Sequence, residues 1–233
     1  MAGPTMEDMI GYSVNRPGQW ERVRQALYDT TIYATAGATS LNFFATPVGQ
    51  GLSAAPGNAN GTKTLADTNM TLAGQVPAGQ NYLVETIEVD FRPGSVSTAN
   101  TFTLVNPIVF NAAASSGTVF GAVSDVAAIY TTGFLNFSVG SKNYLTEGPM
   151  NKFPPQQRLS VQGAVASTSA TVGQTAITLA RAEGRPYHVD PIRLENGQNF
   201  SVTCNWPVAV ATPSGFNGAL RVSLDGYLFR ASQ

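Results

Sequence analysis

The chain has one histidine and one cysteine, so nucleophilic or zinc chemistry would have to run through His188 or Cys204. His188 lies in the run Arg185-Pro-Tyr-His-Val-Asp-Pro191. A working imidazole needs an arranged partner, and with no second histidine there is no zinc-site spacing. The neighbouring Asp190 is read as its hydrogen-bond partner in a turn. A serine triad would also have to use His188, and no G-x-S-x-G elbow is present. Cys204 shares its parity with Phe200 and Trp206, which makes it a small core residue rather than a nucleophile. Residues 57–64, GNANGTKT, have the composition of a phosphate loop, with Lys63 followed by Thr64. The spacing fails: Gly57 and Gly61 are wrongly separated, and Thr62 stands between Gly61 and Lys63.

Glycoside hydrolysis needs two carboxyl groups facing one another across a cleft. Glu85, Glu88, Asp90, Glu147 and Asp225 are available, and nothing in their spacing selects two of them. Glu85 has the parity of Ile87 and Val89, so it either breaks an apolar face or lies beyond its end. Asp225-Gly226 reads as a bulge or bend inside a strand. Four Asn-x-Ser/Thr matches, at Asn60, Asn69, Asn136 and Asn199, are taken as chance in a chain rich in these residues. The expectation is a protein that is not an enzyme, with no cofactor and no metal site.

Charge points the same way. Of the 233 residues, 43% are hydrophobic but only 12% are charged, and the formal net charge is -1. Ordinary globular chains carry about 25% charged residues. Disorder would combine low hydrophobicity with high net charge, which is not the case here. A surface poor in ions and near neutrality tends to associate, which suits a protein that spends its life in an assembly. No basic stripe suggests a nucleic-acid groove. Arg16, Arg22 and Arg24 cluster only around Glu21 and read as a solvated face. No apolar run approaches the ~20 residues of a membrane span, and no leader peptide is read at the N-terminus.

The elements follow from periodicity. Residues 1–17 are read as an arm. Residues 19–28 are the one helix candidate, because Trp20, Val23, Leu27 and Tyr28 fall at i, i+3, i+7 and i+8. These four residues are the expected subunit-interface group, so residues 1–29 are set apart from a domain over 30–233. Residues 30–47 read as two short strands, and 48–80 as a long surface loop. Ile87, Val89 and Phe91 alternate with Glu88, Asp90 and Arg92 in a half-buried strand over 81–92. Further strands are expected over 101–110, 118–123, 134–139 and 158–165, within or beside a small, polar stretch at 111–133. Asn196-Gly197 predicts a tight hairpin. After it, Phe200, Val202, Cys204 and Trp206 share one face. So do Leu220, Val222, Leu224 and Leu228, with Arg221, Ser223 and Asp225 pointing away. Eight to ten strands with one short helix predict an all-β, antiparallel sandwich or barrel.

The runs PIRLENGQNFSVTCNWPVAV and NGALRVSLDGYLFR resemble the final strands of jelly-roll capsid proteins from tailless icosahedral bacterial viruses. NYLVETIEVDFRPG is similar to the opening strand of such a domain. The resemblance covers roughly residues 81–110 and 186–233. It implies a jelly roll that packs side by side into a shell, with N-terminal arms tying neighbours together. The length favours a single roll over a double one. The tight hairpin at Asn196-Gly197 departs from the pattern, since sequential strands of a jelly roll mostly belong to opposite sheets.

The resemblance and the low charge together lead to the expectation of a virion structural protein, the major capsid protein. Its partners would be copies of itself and other virion proteins, and it would be made in a host cytoplasm. The alternatives are a virion spike, fibre or carbohydrate-binding sandwich, recognising ligands through the loops at 48–80 and 111–133, and then a polysaccharide-degrading enzyme.

Overall fold

Residues 20–28 are a strand and not a helix. The computed structural model describes residues 20–54, 61–92, 125–147, 149–154, 157–166, 174–183, 186–213 and 215–231. Strand β1 spans Trp20–Tyr33 and pairs antiparallel with β10, Gly218–Ala231, from Trp20↔Ala231 to Tyr33↔Gly218. This corrects the expected helix. Strand geometry puts Val23 and Leu27 on the face that carries Asp29 and Tyr33, and puts Tyr28 on the opposite face; the Trp20 side chain lies outside what the structure describes. The polar Gln25 and Asp29 interrupt the inward series, so the period of two is hidden. Helix propensities among ordinary residues differ by only ~0.7 kcal/mol each, and a ladder along the whole strand outweighs them. β1 also runs through the boundary expected between residues 29 and 30. The arm at 1–17 lies outside the described residues.

The remaining strands are β2 (Ser40–Phe43), β3 (Gln80–Arg92), β4 (Phe134–Val139), β5 (Lys142–Glu147), β6 (Gln157–Ala166), β7 (Gln174–Glu183), β8 (Tyr187–Leu194) and β9 (Phe200–Asn205). They form two antiparallel four-stranded sheets, in the orders β1-β10-β3-β8 and β2-β9-β4-β5, and a separate β6-β7 pair. The all-β antiparallel sandwich expected from the alternation is thus observed. Strands over 81–92 and 134–139 stand where alternation puts them, while those expected over 101–110 and 118–123 lie outside the described residues.

Apart from β4-β5 and β6-β7, each connection carries the chain from one sheet to another. The Asn196-Gly197 turn is one of these crossings. It joins β8 to β9 in the opposite sheet, which corrects the expected hairpin. Gly197 has φ 71° while Asn196 does not have positive φ, and the Gln198 N–H donates to the Glu195 carbonyl (3.0 Å). A hairpin turn of the Asn-Gly type needs positive φ at both central residues. Here the Asn196 N–H is instead held by Asn81 Oδ1 at 3.0 Å.

The core lies between the sheets. Ile87, Val89, Phe91, Leu220, Val222 and Leu224 from one sheet face Leu135, Phe137, Val139, Phe200, Val202 and Cys204 from the other. Full burial of each large apolar side chain contributes about 1.5–3 kcal/mol. Tyr33 packs edge-on against Phe91 (5.8 Å between ring centroids) and Trp206 (5.2 Å), closing one end of this layer.

One irregularity resolves the parity of Glu85. The β3-β10 register shifts at Asp225/Gly226, where Val84 faces Gly226 and Thr86 faces Asp225, so Glu85 is the extra residue of a bulge. Tyr82 and Val84 before it, and Ile87, Val89 and Phe91 after it, belong to the same core. The inserted residue switches the inward parity from even to odd. A Cβ at Gly226 would lie 1.9 Å from the Leu83 carbonyl oxygen, so only glycine fits opposite the bulge. Asp225-Gly226 is therefore part of a bulge, as its sequence suggests.

The α-helix, α1, spans residues 125–132, inside the stretch read as small and polar. Val126, Ile129 and Tyr130 fall at i, i+3 and i+4 and turn towards the core. The Tyr130 hydroxyl donates to the Val89 carbonyl (2.7 Å) and accepts from the Phe91 N–H (2.9 Å). It thereby caps β3 beyond the end of its pairing with β8, which runs only to Ile87↔Tyr187. No helix among the described residues is long and apolar enough to cross a membrane.

Candidate functional site: the clasped edge of the sandwich

The residues that sequence singles out for chemistry are not gathered in one place. Cys204 is fully buried in β9, and burial pushes its thiol far above the ordinary value, so it stays unreactive. His188 and Asp190 are exposed on β8, in a strand rather than a turn. Asp90 pairs with Arg92 on its own strand at 3.1 Å. Asp225 accepts from Arg24 of β1 at 2.6 Å. Glu147 pairs with Leu135 at the end of β5. Among the described residues, no group of three or more His, Cys, Asp or Glu side chains gathers where a metal ion would be held.

The polar residues that do converge lie between β1 and the β2-β3 loop. Lys63, from the stretch that fails as a phosphate loop, donates its Nζ to Asp29 Oδ1 at 2.7 Å, with side-chain exposures of 6% and 1%. The second oxygen of Asp29 accepts the Phe44 N–H at 2.7 Å. Phe44 is held at φ 65°, a conformation that costs a bulky residue about 1–3 kcal/mol. Three attachments hold it there: the Asp29 carboxylate, the Phe200 ring at 5.4 Å between centroids, and the Gly74 N–H on its carbonyl at 2.7 Å.

Burial pushes the Asp29 carboxyl above its ordinary value, against the opposing pull of Lys63, the Phe44 N–H and Thr68. A second buried carboxylate, Asp67, organises the loop internally. It accepts from Ser53 Oγ (2.8 Å), the Ala54 N–H (2.8 Å) and the Thr64 N–H (2.9 Å). Burial raises Asp67, but these donors together outweigh it and hold the carboxyl below its ordinary value.

The same loop closes the free edge of β1. The Asn69 N–H donates to the Tyr28 carbonyl at 3.3 Å, and its side-chain amide takes the Tyr28 N–H (3.0 Å) and gives to the Ala26 carbonyl (2.7 Å). Asn69 thus meets β1 with the donor and acceptor pattern of a neighbouring strand, which blunts an edge that would otherwise invite pairing. Arg221 of β10 adds bonds from Nε to Thr30 Oγ1 (2.9 Å) and from Nη2 to the Ala66 carbonyl. The stretch read as a long surface loop is therefore a clasp with a buried polar interior. Of the expected interface residues, Leu27 packs against the core and Tyr28 takes part in the clasp. Asp29, just past the expected helix over 19–28, is the residue that sequence reasoning missed. Its partner is 34 positions away, and a polar residue at an inward parity was the one available signal.

No family model, no curated protein and no solved structure matches this chain.

Proposed function

We propose that this chain is a virion structural subunit, a capsid protein built on a single jelly roll that assembles with copies of itself and is not an enzyme. The observation that carries the reading is the strand order. With the β6-β7 pair set aside, eight strands remain, in the orders 1-8-3-6 and 2-7-4-5 counted along the chain. Two Greek keys wound into a double-sheet sandwich have this alternation between sheets. The low charge supports it, since only 12% of residues are ionic and large faces can close on one another without desolvating many ions. The clasp supports it as well, because the loop that in a recognition module would be a mobile reader is here locked by buried ion pairing.

The test is the mass of the purified protein in solution, with imaging of whatever forms. Closed or extended particles far above the 24.5 kDa of one chain are expected over a range of salt and pH. A species that stays monomeric at high concentration would overturn the reading. Glycan binding by that monomer would move the assignment to a carbohydrate-binding sandwich.

A further inference from the structure

The clasp holds an amine and a carboxyl group in contact where neither meets water. Lys63 Nζ lies 2.7 Å from Asp29 Oδ1, and both side chains are almost wholly buried. In water such groups do not condense, chiefly because each is better solvated as an ion. Burial works against the ions, which lose their hydration. An amide carries no charge, and the water released on forming it escapes to bulk. Holding the two groups together also removes the entropic cost of their encounter.

The far side of the carboxyl is equipped as well. Oδ2 accepts the Phe44 N–H at 2.7 Å, so a backbone donor stands where negative charge would gather if Cγ were attacked. That donor is fixed in place, since the Phe200 ring and the Gly74 N–H hold Phe44 at φ 65°. Backbone strain held by its surroundings clusters at functional sites. Burial pushes Asp29 towards its protonated form, the form that can lose its oxygen as water. The Thr68 side chain bonds the same carboxyl and can relay a proton there. A purely structural ion pair accounts for the 2.7 Å contact but entails no chemistry, so one measurement of mass separates it from a reacting pair.

We propose that Asp29 and Lys63 condense into an intramolecular amide that ties β1 covalently to the clasp. The shared proton rests on Oδ1, the Nζ lone pair attacks Cγ, and the Phe44 N–H steadies the charge that gathers on Oδ2. The nitrogen then gives a proton to the Oδ1 hydroxyl, the Cγ–Oδ1 bond breaks, and one water leaves. Oδ2 remains as the amide oxygen, still held by Phe44. The step needs no oxidant or reductant. It follows folding, so freshly folded chain still carries the ion pair. The product closes a ring between positions 29 and 63 that survives unfolding and restricts the unfolded chain. The proposal stands independently of the capsid reading.

The test is the intact mass of the full chain, denatured for measurement when freshly purified and again during prolonged incubation of the folded protein. A second species lighter by one water is expected, and its share should grow with time. In that species trypsin fails to cut after Lys63, and fragmentation places the lost water in a ring between residues 29 and 63. Chain kept unfolded in guanidinium should not form it, and neither should Lys63→Arg. An unchanged mass throughout the incubation of the folded wild-type chain would overturn the proposal, whether or not the variant folds. So would a water loss that persists in Lys63→Arg, since it would point to ring closure elsewhere, such as at Asp225-Gly226. Water loss at the same rate in unfolded chain would overturn it too, because the fold would then contribute nothing.

Discussion

The clasped β1 edge and the β9-β10 centre are held together by different physics. At the centre, Phe200, Val202 and Cys204 in one sheet and Leu220, Val222 and Leu224 in the other repeat every second residue and bury against one another. Each makes a modest contribution, and the loss of a methyl group leaves only a small cavity among apolar neighbours. At the edge, Asp29, Lys63 and Phe44 depend on one another, and a charge deprived of its partner has no solvent to turn to. The centre is therefore graded and tolerant, and the edge is all-or-none.

The sharpest way to break this contrast is Asp29→Ala. It leaves the Lys63 ammonium buried without its partner and frees the Phe44 N–H, and it is expected to lower unfolding free energy by about 3–5 kcal/mol in denaturant titrations. Replacing both partners, Asp29→Leu with Lys63→Met, is expected to recover most or all of that loss. The raised carboxyl value of Asp29 means that burial costs it more than its partners return. Equal losses in the single and double variants would show that the edge is no more coupled than the centre.

At the centre, Ile87→Val removes one methylene from a fully buried side chain. It is expected to cost about 0.5–1.5 kcal/mol by the same titration. A loss as large as that of Asp29→Ala would erase the distinction.

The smallest effect is the response to pH, which only the edge should show. Asp29 binds its proton at higher pH in the folded chain than in the unfolded one. Its contribution is complete below the ordinary carboxyl value of about 3.9 and is lost as pH rises through its raised folded value. Asp67 has the opposite sign: its contribution is present above about pH 3.9 and is lost as pH falls through its lowered folded value. Midpoints measured across the acid range should lose the upper limb in Asp29→Asn and the lower limb in Asp67→Asn. An unchanged profile in both would remove these carboxylates from the account.

The same division explains what could be read in advance. The core faces of β9 and β10 and the bounds of β4 were legible because apolar residues alternate there without interruption. β1 was not, since Gln25 and Asp29 occupy inward parities and leave an accidental helical spacing among Trp20, Val23, Leu27 and Tyr28. The clasp was illegible for a related reason: its organising contacts join Asp29 to Lys63 and Ser53 to Asp67, and no local period reports a partner tens of residues away or even fourteen. Asn196-Gly197 was recognisable as a turn, but whether the chain folds back or crosses over depends on which strand is already waiting at each edge.

The placement of β10 between β1 and β3 has a consequence for how the molecule is made. Until residues 218–231 have left the ribosome, the earliest and middle strands of that sheet have a gap between them that nothing else fills. Such late closure of distant segments is slow compared with local folding. Until β10 arrives, the facing edges of β1 and β3 carry unpaired backbone groups, so the unfinished chain is the species most exposed to wrong pairing.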